Sequence, residues 1–247
     1  MTGSRIPSFS PGSSSIPCSR PMLKKIMKIL LGVALVPLCA GFTWQFGAAV
    51  FSVAYKPDLP YYFLAGGLTY LTAHLLFKKP ILTYVFGHEL THAFFAVLFG
   101  GSVKSFQASE RGGRVTITKS NFIITLAPYF FPLYTFVALI FYGLAAAADV
   151  RWAAGWSIFF AGATFSFHLL LTFLFLQTDQ SDIKEHGAVF SYPLIYLFNI
   201  MFAAFLVHAL LSKNTGFLGF LRGGIMKSVL MTSQTIGKLY EIARSMT

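Results

Sequence analysis

Apolar residues in this 247-residue chain fall in long runs rather than in the short rhythms of soluble helices and strands. A run of about 20 apolar residues crosses a bilayer as a helix, because only a helix or a closed barrel satisfies its own backbone in lipid. The pattern predicts about six such spans, near 29–55, 61–77, 80–101, 122–147, 152–177 and 187–211. Basic residues flank them, among them Lys24, Lys25, Lys28, Lys78, Lys79, Arg151, Lys213 and Arg222, as orientation signals do. Pro80 opens the third run and Gly100-Gly101 closes it, the usual punctuation of a helix start and end.

Three stretches depart from this pattern. Between spans three and four, Val115 and Ile117 alternate with Thr116 and Thr118, and Gly112-Gly113 offers a tight turn, so residues 101–120 are predicted as a β-hairpin. Residues 216–247 mix Phe217, Leu221, Ile225 and Leu239 with Arg222, Lys227, Lys238 and Arg244, the composition of an amphipathic helix at a membrane surface. Residues 1–21 are rich in Ser and Pro without periodicity and are expected to be disordered. Met22 or Met27 would serve as an alternative start. The expected fold is an all-α polytopic membrane protein with a disordered tail (1–21), a membrane-embedded domain (22–215) and an amphipathic C-terminal segment (216–247).

Composition narrows the partners. Charged residues make up 11% of the chain, against about a quarter in soluble domains. The net charge of +11 is scattered around the apolar runs and forms no single basic face, which argues against nucleic acid and for the bilayer as partner. Cys18 and Cys39 have no CxxC spacing, so neither a disulfide framework nor a cysteine metal site is expected.

One span carries chemistry. Within "VFGHELTHAFF", residues 85–95, stands His88-Glu89-x-x-His92. Residues four apart on a helix are separated by about 40° and about 6 Å, so both imidazoles can share one tetrahedral metal. Zinc in such a site polarises a scissile carbonyl and lowers the pKa of water towards about 7, with the glutamate beside it as base. With six His in the chain, a chance match has a probability of roughly 0.2%. A helix beginning at Pro80 would set the histidines about 12 and 18 Å along its axis, at membrane depth, where ionisable groups are costly and mark function. Glu89 is therefore the expected catalytic base and His88 and His92 the expected zinc ligands.

A catalytic zinc takes three protein ligands and keeps a fourth place open. Glu110, Glu241 and Asp58 lie in the hairpin, the C-terminal segment and a loop. The better source is "QTDQSDIKEHG", residues 177–187, at the end of span five. Asp182 is the first choice, provided the chain dips inward there, with Asp179 and His168 as alternatives. His74, His186 and His208 read as structural or interfacial.

The sequence GHELTHA in a span, followed by a hairpin, the Pro-containing "TLAPYFFPLY" (125–134) and a late aspartate, resembles the site-2 protease family of intramembrane zinc metalloproteases. The resemblance covers about residues 80–199 and implies zinc held by His88, His92 and a later aspartate, with Glu89 as base and a membrane-protein or peptide segment as substrate. The family's aspartate is usually followed by glycine, whereas Asp182 precedes Ile183, as in a compact, divergent branch without the PDZ insert that some members carry. The other zincin type, whose third ligand is the Glu of a Glu-x-x-x-Asp pattern, has no match. Two non-enzymatic readings stand beside the protease: a metal-binding or transport protein, and an inactive scaffold of the same fold. The basic flanks put both termini in the cytoplasm. With six spans that sets the zinc nearer the opposite face, whereas the resemblance implies a site towards the cytosol. The sequence does not set the oligomeric state.

Overall fold

The structure is a computed structural model that describes residues 20–52, 55–56, 58–213 and 216–245. The expected disordered tail, Cys18 included, lies outside the described residues except for Arg20 and Pro21, which already belong to the first helix.

Helix α1 (Arg20–Ser52) leads to α2 (Leu59–Leu76) and to α3 (Ile81–Leu98), which carries the histidines. Strands β1 (Val103–Ser109) and β2 (Gly112–Ile117) follow, then α4 (Phe122–Phe130), α5 (Leu133–Ala147), α6 (Arg151–Leu176), the short α7 (Ser181–His186), α8 (Ala188–Phe205) with a π-helical end (Leu206–Leu211), and α9 (Phe217–Ser245).

Among the described residues, four helices are long and apolar enough to cross a membrane, against about six expected: α1, α3, α6 and α8 with its π-helical end. A fifth span results if α4 and α5 are one crossing, bent by 71°. Helix α2 exists where a span was expected, but Tyr61, Tyr62, Tyr70 and His74 dilute its apolar character and it is not among them. The α4–α5 bend has a local cause. Pro132 has no N–H to continue the α4 ladder and drives the preceding residue out of the helical region. Phe131 accordingly is extended (φ −101°, ψ 103°) and α5 starts afresh after Pro132. Pro128 leaves α4 unbroken.

Glycines allow the closest helix contacts. A Cβ on Gly66 of α2 would collide with the Phe159 carbonyl of α6, and one on Gly162 with the Phe63 carbonyl. Contacts of Gly66 with Phe159, and of Tyr70 with Phe167 further along, make α2 and α6 parallel. Helix α5 runs antiparallel to α6, since Thr135 meets Thr164 while Tyr142 lines one cavity with Gly155. Helices α1 and α8 run parallel, with Gly32 against Val189 and Thr43 bonded to Tyr196 at 2.6 Å. The amphipathic α9 does not lie alone at a surface. Its first half packs antiparallel on α1, Ser228 against Gly41 and Gly223 against Gln45, burying Phe220 on Phe42.

The hairpin also differs from expectation. Its two-residue turn is Glu110-Arg111, and Gly112-Gly113 open β2 instead. Rather than projecting from the end of α3, the hairpin folds back along it. Phe106 packs on Phe86 (5.5 Å between ring centroids), and Glu110 at the tip pairs with Lys78 at 3.6 Å, before the start of α3.

These directions locate the site. Helix α2 ends beside the end of α6, and Phe122 at the start of α4 stacks edge-on against Phe190 near the start of α8. The chain enters α3 beside the end of α6 and leaves the hairpin beside the C-terminal end of α3, where Thr118 bonds to Ser102 and Lys119 reaches the Phe99 carbonyl. Helix α7 follows the end of α6, and Lys28, in the early turns of α1, reaches His186 at 2.8 Å.

Candidate metal centre

Helix α3 presents His88 and His92 one turn apart, their ring centroids 4.9 Å from each other. The third group arrives from α7. Span α6 ends at Leu176, the chain turns through residues 177–180, and the first turn of α7 points Asp182 back at the histidines. Asp182 Oδ2 lies 3.4 Å from His88 Nε2 and 3.4 Å from His92 Nε2. Two ligands about 2.05 Å from zinc at the tetrahedral angle are about 3.3 Å apart, so both edges fit that ion as they stand. Ligand atoms of the three residues all fall within 4.8 Å of one another, the one such group of three among the described residues.

Neighbouring groups orient the set. His92 Nδ1–H donates to the Ile124 carbonyl at 2.9 Å, which turns Nε2 with its lone pair towards Asp182. Fixing a ligand tautomer through its second nitrogen is a recurrent feature of metal sites. The first turn of α4 is held for this by Asn121, whose side-chain oxygen accepts from Ile124 N–H at 2.9 Å. The Tyr129 hydroxyl lies 3.0 Å from Asp182 Oδ2 and 3.2 Å from Gln180 Oε1. Burial alone would raise the pKa of the Asp182 carboxyl, but the hydrogen bonds and charge of His88 and His92 outweigh it and hold the carboxyl well below the usual carboxylate range.

Glu89 sits beside the triad under strand β2. A Cβ on Gly113 would meet Glu89 Cγ at 2.5 Å, Oε1 at 2.6 Å and Val85 Cγ1 at 2.8 Å, so only glycine lets the strand lie this close. Triad, glutamate and strand line a cavity of about 560 Å³, with Arg111 and Arg114 on its hairpin wall.

The alternative ligands lie elsewhere. Asp179 is exposed and paired with Lys184 at 2.9 Å. His168 is buried on α6 and bonded through Nε2 to Asn199 Oδ1 at 3.3 Å. Tyr129, Asn199, Gly113 and the Ile124 carbonyl are the contributors that the sequence reading missed. For Tyr129 a signal existed, a hydroxyl between two prolines in an apolar segment.

Because Lys28 touches α7, the triad is at the end of the bundle where α1 begins.

The family model described as Peptidase M50B-like matches residues 63–221, which takes in the whole triad and Glu89. No curated protein and no solved structure matches the chain.

Proposed function

Since the chain belongs to the M50B-like peptidase family, we propose that it is a zinc metalloendopeptidase that hydrolyses peptide bonds in or near transmembrane segments of membrane proteins. His88, His92 and Asp182 hold the ion and Glu89 is the base. The observation that supports this most is the 3.4 Å spacing of Asp182 Oδ2 from both imidazoles, beside a glutamate in an open cavity.

A zinc ion held there by His88, His92 and Asp182 would supply Lewis acidity towards the scissile carbonyl and lower the pKa of water towards neutral. Glu89 takes the proton from the attacking water and passes it to the leaving amine. Tyr129 and the Ile124 carbonyl keep Asp182 and His92 aimed while this happens. A helical substrate hides its carbonyls in its own hydrogen bonds, so it must be drawn out before cleavage. Strand β2 runs along the cavity and offers an edge for an extended segment to pair with. Both termini are assigned to the cytoplasm, which places the site towards the cytosol and removes the conflict between charge pattern and family resemblance. Residues 22–215 form the catalytic domain and 216–247 an accessory amphipathic segment.

The test is to purify the protein in detergent, measure zinc, and follow cleavage of a single-span substrate by wild type and Glu89→Gln. We expect about one zinc per chain in both and cleavage only by wild type. Equal cleavage by both would sink the assignment.

A further inference from the structure

The two histidines of the centre are not supported alike. His92 Nδ1 has the Ile124 carbonyl, while His88 Nδ1 is buried and no group among the described residues takes it. A buried imidazole N–H without an acceptor is costly, because it gives up its bond to water and gains none in return. Behind His88 lies a separate cavity of about 20 Å³, lined by His88, Thr91, Tyr134 and His168 among others. That volume holds one water molecule, which needs two to four polar partners.

The lining supplies them with matching polarity. Asn199 Nδ2 donates to the Tyr129 carbonyl and the Ile195 carbonyl, both at 2.9 Å, so its Oδ1 must accept from His168 Nε2–H. His168 then carries its proton on Nε2 and keeps a lone pair on Nδ1. The Thr91 hydroxyl donates to the Gly87 carbonyl at 2.7 Å and the Tyr134 hydroxyl to the Thr83 carbonyl at 2.7 Å, leaving only their lone pairs. The residues lining the cavity thus offer one donor, His88 Nδ1–H, and three acceptors. A single water satisfies this set by accepting from His88 and donating to His168 and one hydroxyl.

We infer that His168 is a positioning residue for the metal centre: through an ordered water in this cavity it fixes the tautomer of His88, and Asn199 fixes His168 in turn. The inference rests on the zinc assignment above. It gives His168 a different part from that of a third ligand, and it explains a buried imidazole that the proposed hydrolysis does not otherwise use.

The experiment compares the full chain with His168→Leu, which keeps bulk but no acceptor, and His168→Gln, which restores one. Zinc affinity is read by competition with a chelator, and the ligand field by the visible spectrum of the cobalt-loaded forms. Expected is a loss of about 10–100-fold in zinc affinity for His168→Leu, with an altered cobalt spectrum, and values within a few-fold of wild type for His168→Gln. Wild-type affinity and spectrum in a folded His168→Leu would overturn the inference while leaving the zinc assignment intact. A wild-type protein that holds no zinc would overturn both. Should His168→Leu not fold, nitrogen-15 histidine NMR of the wild type decides: a proton on His168 Nε2 is expected, and one on Nδ1 overturns the proposal.

Discussion

Gly113→Ala is a small change with a large expected effect, because the added methyl points at Glu89, the proposed base. At 2.5 Å from Glu89 Cγ it falls short of the 3.4 Å of ordinary contact by about 0.9 Å, and it also crowds Oε1 and Val85. Either β2 lifts or the Glu89 side chain swings away by nearly that distance. A displacement of about 1 Å at a catalytic group costs about 100-fold in rate, or about 2.7 kcal/mol at 1.36 kcal/mol per decade. The metal set is untouched, since no atom of His88, His92 or Asp182 is among the nearest neighbours of the new Cβ. Cleavage of a single-span substrate should therefore fall about 100-fold with zinc content unchanged. Gly112→Ala is the control. Its φ of +133° strains any side chain, but nothing lies within 4 Å, so stability should drop by about 1–3 kcal/mol with turnover of the folded fraction retained. Full activity in Gly113→Ala would refute both the placing of Glu89 under the strand and its role as base.

Asp182→Ala should abolish stoichiometric zinc in metal analysis, whereas Asp179→Ala, which removes only an exposed partner of Lys184, should keep it; the reverse outcome would reassign the third ligand. Acidification to about pH 5 should release zinc as protons compete for the imidazoles, and return to neutral pH with added zinc should restore it. Retention of zinc through that cycle would speak against imidazole ligands. Asn121→Ala removes the cap that holds the first turn of α4 and should lower stability by about 0.5–2 kcal/mol, read as a shift in thermal unfolding. An unchanged transition would mean that the turn is held by other contacts.

What could be read from the chain divides along the reach of each interaction. The pairing of His88 with His92 follows from four residues of helix, and the proximity of a late aspartate follows from needing one more ligand near the end of a span. Apolar length gave the helices, but α2 shows its limit. The tyrosines and His74 along it weaken the span signal, yet the glycines that seat it on α6 are visible only in contact. The bend at Phe131-Pro132 was legible as a proline and illegible as 71°, because the angle depends on what α4 packs against. The direction of the hairpin was hidden for the same reason: its reversal rests on Phe86 with Phe106 and Lys78 with Glu110, pairs about 20 and 32 residues apart. Gly112-Gly113 read as a turn because glycine signals conformational freedom, when Gly113 serves to make room.

The return of the hairpin along α3 ties residues 78–120 into one unit, since Glu110 at its tip pairs with Lys78 before α3 and Thr118 bonds to Ser102 just after it. The two histidines and the glutamate ride on this unit, while Asp182 and Tyr129 belong to helices outside it. The candidate centre lies on the seam between the two. Seating the unit and assembling the proposed ligand set are the same event, so whatever prises the hairpin and α3 from their neighbours would also part Asp182 from both imidazoles.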